Sequence, residues 1–140
     1  MTLNCDKVLV AIGVQPNIED LGLESLGIAI LDGSIQVDGV MRTNVASVYA
    51  IGDVTGKLAL AHVASAQAVI AVENMAGLET QALDYGSIPR ATYCNPQIAS
   101  FGLTEAQARE HGHDVQVGTF NVQANGKALA MGESEGIVKL

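Results

Sequence analysis

The residues with the clearest chemical potential lie at the end of a short apolar run. Val48–Ile51 is rich in strand-forming side chains and stops at Gly52-Asp53, so a carboxylate would stand at the tip of a buried strand. Leu60–His62 then opens a long apolar helix. In open α/β sheets, ligands bind at the carboxyl ends of strands, beside helix N-termini. On this spacing alone, a ligand-binding Asp53 and an ordinary turn or N-cap aspartate are about equally good interpretations.

The other candidates for chemistry are weaker. Cys5 and Cys94 lie far apart and fit neither a metal nor a redox spacing, so two inert thiols in a reducing compartment are the better interpretation. His111 and His113 flank a glycine without further ligands at metal-binding spacing, which favours solvated histidines near a helix end. The sequence therefore predicts neither a metal site nor a complete catalytic set.

Composition and charge narrow the class of protein. The 140 residues, 49% of them hydrophobic, could form one domain with a sizeable core. A formal net charge of -8 argues against nucleic acid and anionic membranes as partners. The most apolar stretch, Leu58–Val72, contains polar residues and is shorter than the roughly 20 residues of a membrane span. The N-terminus has no signal-peptide pattern, and we expect a cytoplasmic protein.

Hydrophobic patterning in the first part of the chain predicts strands followed by a helix. Lys7–Gly13 is a nearly continuous apolar run, typical of a strand covered on both faces. Ile28–Leu31 and Ile35–Val37 flank Asp32-Gly33, which is a hairpin signal. The helix is expected from Leu60 to about Met75, buried all round because it is apolar nearly all round, with Gly77 at its C-terminal cap.

After the turn-rich stretch Asp84–Pro89, the pattern changes. Four strands are expected, at Ala91–Cys94, Ile98–Gly102, Asp114–Phe120 and Gly136–Leu140. Between the second and third, Thr104 and Gln107 form a capping-box pattern for a short helix that ends at Gly112. Strands with a helix on one face indicate an α+β unit distinct from the preceding part.

Both termini run through segments with strand-like patterns. Lys7–Gly13 has no earlier element to cover it, and Gly136–Leu140 stops without a following turn. We therefore expect the chain to be an internal piece of a longer protein.

Several motifs, in order along the chain, resemble the pyridine nucleotide-disulphide oxidoreductase family. Val8–Gly13 with Pro16-Asn17 is similar to the exit from that family's NAD domain. The family's second FAD motif is similar to Thr43-Asn44 with Val48–Val54, Leu60–His62 and Ala64. The opening of its dimerisation domain is similar to Tyr93, Asn95-Pro96 and Gly102–Glu105. Within the family, the Leu60–His62 triplet is most similar to the dihydrolipoamide dehydrogenases. Glutathione and mercuric reductases place other residues there.

The resemblance implies an α/β fold: a partial FAD/NAD(P)-binding Rossmann-like fold followed by the start of an α+β dimerisation domain. Residues 1–15 would end the NAD-binding domain, residues 16–84 would form the second part of the FAD-binding domain, and residues 85–140 would start a truncated C-terminal dimerisation domain.

The same resemblance implies the site residues. FAD would be contacted by Gly52, Asp53, Ala59, Leu60, Ala61 and His62, and NAD by Gly13. Asp53 would accept hydrogen bonds from the ribityl chain, and the amides of residues 60–62 would face the flavin pyrimidine edge, where reduction places negative charge. His62 would then act through its backbone. The family usually has a basic residue where Val14 stands, and commonly a lysine or similar residue at Val63.

The parent enzyme implied by the resemblance is a cytoplasmic, homodimeric flavoprotein oxidoreductase involved in cell redox homeostasis. It would oxidise dihydrolipoamide, carried on an acyltransferase complex, with NAD through FAD and a redox disulfide. The family's dinucleotide fingerprints, cysteine pair and His-Glu dyad have no counterpart here, so the chain alone is expected to be inactive and to bind no flavin tightly. The alternatives are a sibling flavin disulfide reductase of the glutathione or mercuric reductase type and a non-catalytic interaction module.

Overall fold

The computed structural model describes residues 2–140. The chain forms two compact units, a first unit Met1–Tyr85 and a second unit Gly86–Leu140. In chain order the strands and helices are β1 Ile30–Leu31, β2 Ser34–Ile35, α1 Ala61–Met75, β3 Arg90–Thr92, β4 Ile98–Ser100, α2 Glu105–Glu110, β5 Thr119–Asn121, α3 Gly126–Met131 and β6 Ile137–Lys139. Three 3-10 turns occur at Gly52–Thr55, Tyr85–Ser87 and Val122–Ala124.

The predicted strand at Lys7–Gly13 is wrong. No strand is assigned to this stretch, and its apolar side chains face outward, with Leu9 90% and Ile12 95% exposed. A strand needs a neighbouring ladder of hydrogen bonds. No residue within 2–140 forms such a ladder with this segment. Its apolar pattern alone therefore does not make it a strand.

The predicted hairpin around Asp32-Gly33 is confirmed, with shorter strands than expected. β1 and β2 pair antiparallel, with Ile30 opposite Ile35. The two turn residues have φ angles of 49° and 74°. Positive φ at both positions is the requirement of a two-residue type I′ turn, and Asp-Gly satisfies it at little steric cost. Ile35 is buried at the base of the hairpin.

The segment Val48–Ile51 is extended, but the predicted buried strand is wrong. Only one isolated antiparallel bridge is present, between Arg42 and Tyr49. The Thr43 amide donates to the Val48 carbonyl at 3.0 Å, and the Thr43 hydroxyl donates to the same oxygen at 2.9 Å. The segment therefore folds back on the residues just before it, with only Ala50 buried.

Asn44 ties this segment to the hairpin region. Its Nδ2 donates to the Gly27 carbonyl at 2.8 Å, and its Oδ1 accepts from the Ala29 amide at 2.8 Å. The two bonded residues flank Ile28, which belongs to a core cluster with Leu23, Ile35 and Ala50. The Thr-Asn pair of the sequence motif thus has a structural role in the first unit.

Helix α1 begins and ends where the sequence predicted. Leu60 is its N-cap residue in an extended conformation, and Gly77, with φ 76°, follows the C-cap Ala76. The prediction that the helix is buried all round is wrong. Its buried residues are Val63, Gln67 and Ala71, spaced four apart, whereas Val69 is 57% and Val72 61% exposed. The core of the first unit covers one stripe of the helix.

The second unit consists of two antiparallel strand pairs and two short helices. β3 pairs with β4 and β5 with β6. Helix α2 is confirmed, with Thr104 and Gln107 forming the capping box. The strand predicted at Asp114–Phe120 forms only at its end, in β5. Helix α3 was not predicted, although Asn125 caps its start and Gly132, with φ 70°, ends it.

Candidate functional site

Asp53 lies in the 3-10 turn Gly52–Thr55, and the turn is fixed on both sides of it. The Thr55 hydroxyl donates to the Gly52 carbonyl at 2.8 Å, and the Gly56 amide donates to the Asp53 carbonyl at 3.0 Å. Gly52 has φ 76°, a left-handed conformation that favours glycine. A Cβ at this position would also lie 3.4 Å from the Ala64 side chain. The backbone of Asp53 is thus held while its side chain is exposed.

A buried side chain missed by the sequence interpretation anchors this turn. The Gly52 amide donates to Oε1 of Gln67 at 2.6 Å, and Nε2 of Gln67 donates to the Tyr85 hydroxyl at 2.8 Å. Gln67 is fully buried. The available signal was a polar residue at a core position of the helix, four residues from both Val63 and Ala71.

The Asp53 turn borders an open groove of about 600 Å³ in the first unit. The lining residues come from three segments: Val14, Gln15, Pro16 and Asn17; Asp32 and Ser34; and Asp53, Val54, Gly56, Lys57 and Ala59. Of the sequence-predicted site residues, Asp53 and Ala59 are brought together here. Gly52, Gly13 and residues 60–62 are not among the lining residues.

The polar groups of the groove are of mixed charge. The carboxylates of Asp32 and Asp53 have no ion-pair partner within residues 2–140. The Lys57 ammonium lies 5.5 Å from the centre of the Tyr85 ring, a cation–π arrangement. Carboxylates accept hydrogen bonds and repel anions, so the Asp53 end of the groove suits a neutral ligand rich in hydroxyl groups.

The start of helix α1 has its own hydrogen-bond pattern. The Leu60 amide donates to the Leu58 carbonyl at 2.8 Å, and the amides of Val63 and Ala64 donate to the Leu60 carbonyl at 3.0 and 3.1 Å. The Ala61 amide stands ahead of this ladder, where a helix leaves its first donors without intrahelical acceptors, and His62 lies in the same first turn.

Gly13, whose neighbour Val14 departs from the family pattern, and Val63, which departs from it itself, have clear environments. Gly13 has φ 138°, a conformation that L side chains rarely adopt, and a Cβ there would meet nothing within 4 Å, so glycine is favoured there by the backbone conformation and not by crowding. Val63 is fully buried in the stripe of α1 that packs on the core. An apolar side chain at that position is therefore explained by packing.

The weaker candidates are not among the lining residues of the groove. Cys5 and Cys94 are free and exposed, and the rings of His111 and His113 are 6.4 Å apart. Within residues 2–140 no three His, Cys, Asp or Glu side chains are grouped so that they could hold a metal ion. No helix in the same range is both long and apolar enough to cross a membrane.

Comparison with known proteins places these features in a family. The sequence model of the pyridine nucleotide-disulphide oxidoreductases matches residues 1–68, and that of their dimerisation domain matches residues 88–140. Dihydrolipoyl dehydrogenase of Mycobacterium leprae is 56% identical over 140 residues, covering 99% of this chain, and that of Bacillus subtilis is 48% identical, covering 100%. The chain spans 30% of the length of each of these relatives.

Solved structures agree with the sequence comparison. The HOCl-induced flavoprotein disulfide reductase RclA from Escherichia coli superposes with a TM-score of 0.81 and 32% identity, covering 92% of this chain and 30% of that one. The expected α/β fold, with part of an FAD/NAD-binding region and the start of a dimerisation domain, is confirmed. This chain belongs to the pyridine nucleotide-disulphide oxidoreductase family.

Proposed function

We propose that this chain is the part of a dihydrolipoyl dehydrogenase that holds the flavin side of FAD and begins the dimer interface. The whole enzyme would be a flavoprotein oxidoreductase that passes electrons from dihydrolipoamide to NAD through a redox disulfide and FAD. The observation that carries the proposal is 48% to 56% identity to dihydrolipoyl dehydrogenases over at least 99% of the chain. The disulfide and the acid-base dyad would come from outside these 140 residues.

The groove fits the ribityl part of FAD. The exposed Asp53 carboxylate can accept hydrogen bonds from hydroxyl groups without repelling a neutral chain. Gly56, at φ 64°, lines the groove without a side chain, because a Cβ there would collide with the side chain of Ser34. Ala59 adds a small side chain to the same lining. When bound, the flavin would supply reversible two-electron redox chemistry.

The start of α1 would serve the flavin ring. The amides of Ala61 and His62 lie in the first turn of the helix, where the positive end of the helix dipole is. Such donors stabilise negative charge on the pyrimidine edge of a reduced flavin. Leu60 would contribute as the N-cap residue that sets the direction of these amides, since its own amide bonds to Leu58. Gly52 would contribute through the turn that carries Asp53, and Gly13 would approach NAD.

The finer assignments follow from the same proposal. The domain limits would be residues 1–15, 16–84 and 85–140, with the last forming a homodimer interface. The substrate would be dihydrolipoamide on an acyltransferase complex, and the enzyme would act in the cytoplasm. The match to a dimerisation domain supports the interface assignment.

Expression of the whole enzyme that contains this sequence tests the activity. We expect a yellow protein with one FAD per chain that reduces NAD with dihydrolipoamide. The same preparation is then assayed with glutathione disulfide and NADPH. Preference for that pair would overturn the dihydrolipoyl dehydrogenase assignment in favour of a sibling reductase, the alternative that the similarity to RclA supports.

Asp53→Ala in the whole enzyme tests the site. Hydrogen bonds to a charged group contribute about 1.5–3 kcal/mol, so we expect FAD retention to weaken by at least about tenfold while the circular dichroism spectrum is unchanged. Asp114→Ala, an exposed carboxylate of the second unit, is the matched control and should retain FAD. Equal flavin content in all three proteins would refute the role of Asp53.

A further inference from the structure

Gln67 is the polar residue of the buried stripe of α1. It is 0% exposed, and no buried side-chain polar atom in the described part of the chain lacks a hydrogen-bond partner. Burying an amide without partners is costly. Both ends of the Gln67 amide are therefore constrained by the groups that they meet.

The orientation of the Gln67 amide follows from its partners. The backbone N–H of Gly52 can only donate, so the atom facing it at 2.6 Å must be the acceptor Oε1. Nε2 then faces the Tyr85 hydroxyl at 2.8 Å, and that oxygen accepts. Only one of the two amide orientations satisfies both neighbours. The Gly52 N–H thus sets the orientation of the amide, and the Tyr85 hydroxyl holds its other end by accepting from Nε2.

Both hydrogen-bond partners of Gln67 lie next to residues that line the groove. At one end, the Gly52 amide is one peptide bond away from Asp53, and the left-handed φ of Gly52 sets the direction in which the chain enters the turn. At the other end, the Lys57 ammonium lies over the ring of Tyr85, and Lys57 lines the same groove. Asp53 and Lys57 are therefore both positioned by groups that meet at Gln67.

We propose that Gln67 is a positioning residue for flavin binding, which holds the Gly52–Asp53 turn in its binding geometry through an amide whose other end is held by Tyr85. This inference rests on the proposed function, because it takes FAD as the ligand of the groove. It assigns Gln67 no contact with the flavin and no part in electron transfer.

Three substitutions separate positioning from packing. Gln67→Met keeps the length of the side chain and its burial but removes the acceptor for Gly52. Gln67→Glu restores that acceptor in either protonation state, and a carboxyl group can also interact with the Tyr85 hydroxyl as donor or acceptor. Tyr85→Phe leaves Gln67 in place but removes the oxygen that accepts from its Nε2. Ser65→Ala changes an exposed residue of the same helix and is the control.

The experiment uses the intact flavoprotein with two readouts, hydrogen exchange of the Gly52 amide in the apoprotein and the dissociation constant of FAD. We expect Gln67→Met to speed exchange at Gly52 and to weaken FAD binding by about tenfold each. Gln67→Glu should restore both to within about threefold of wild type, and Tyr85→Phe should fall between the two. Ser65→Ala should change neither.

The outcomes distinguish this inference from the proposed function. If the wild-type protein binds no FAD, the proposed function fails. If it binds FAD, but Gln67→Met binds it equally well with unchanged Gly52 exchange, the positioning role is overturned. The same conclusion follows if Glu and Met weaken binding equally, since packing alone would then account for both. Should Gln67→Met not fold, Gln67→Glu and Tyr85→Phe decide, and Tyr85→Phe with wild-type Gly52 exchange overturns the proposal.

Discussion

The two units of this chain achieve order by different means. In the first unit, residues distant in sequence enclose a small core, with Met41, Val63 and Gln67 fully buried. In the second unit, Ile88 is the one described residue that is buried. The strand pairs expose large side chains such as Phe120 of β5, which is 51% exposed. Its elements are instead specified locally, by caps and tight strand pairing.

This difference indicates where each unit obtains its stability. A core stabilises the first unit through burial. The second unit presents apolar surface of the kind that marks an interaction site, which accords with its match to a dimerisation domain. We therefore expect the first unit to depend on its own contacts and the second on a partner surface.

The largest expected effect is on the chain as an isolated 140-residue protein. Because the second unit and the segment Lys7–Gly13 expose apolar side chains, we expect self-association and no single cooperative melt. Hydrogen exchange should be slowest in α1 and fast in β3 to β6. Sedimentation velocity with exchange mass spectrometry measures both. A sharp two-state melt from a monomer would contradict the expected difference in stability between the two units.

Matched methionine substitutions, one in each unit, test the difference in burial between the two units. Met41 is 0% and Met131 56% exposed. We expect Met41→Ala to lower local stability by about 2–5 kcal/mol because it empties a packed site. Met131→Ala should cost less than about 1 kcal/mol, since little burial is lost and alanine favours the helix. Exchange of the Ala50 amide, which donates to the Met41 carbonyl, reports the first effect. Equal losses would mean that the two units do not differ in burial.

A smaller effect is expected from the cap of α2. Thr104→Ala removes the side-chain acceptor of the Gln107 amide, which typically costs about 1 kcal/mol. Because the second unit is specified locally, exchange should accelerate at Ala108 and His111 and stay unchanged in α1. Thr119→Ala, outside this helix, should leave α2 exchange as it is. Acceleration spreading into α1 would contradict local control.

The smallest effect concerns pH. The pKa of Glu105 is held below its ordinary value of 4.5, chiefly by its hydrogen bond to the Lys139 ammonium and next by that to Arg109. A carboxyl group with a depressed pKa stabilises the fold above the unfolded pKa, and this is lost as pH falls through the folded value. We expect β6 to loosen from α2 below pH 4.5, detected as chemical-shift changes at Lys139. Lys139→Met should weaken this pH dependence. The same titration curve in both proteins would show that the hydrogen bond between Glu105 and Lys139 is not its cause.

Local signals made part of the fold predictable. The turn at Asp32-Gly33, the capping box at Thr104 and the limits of α1 depend on neighbouring residues and were predicted correctly. The strands at Lys7–Gly13 and Val48–Ile51 were wrong because strand formation depends on a partner segment, which the local pattern does not contain.

Of the residues that the motif predicts for the site, the structure brings Asp53 and Ala59 to one groove. Their contact with FAD stays a prediction. Gln67 and Tyr85 were missed because their role arises from a contact between residues 18 apart. In the sequence, the only local sign of this contact was an amide side chain among small apolar residues of the helix.

The two hydrogen bonds of Asn44 have an implication for the ageing of the protein. The side chain donates a hydrogen bond to the Gly27 carbonyl through its nitrogen and accepts one from the Ala29 amide through its oxygen. Deamidation would exchange that nitrogen for an oxygen of nearly identical size. Two oxygens would then face each other across 2.8 Å, and a change of a single atom would turn the tie between Asn44 and Gly27 into a repulsion.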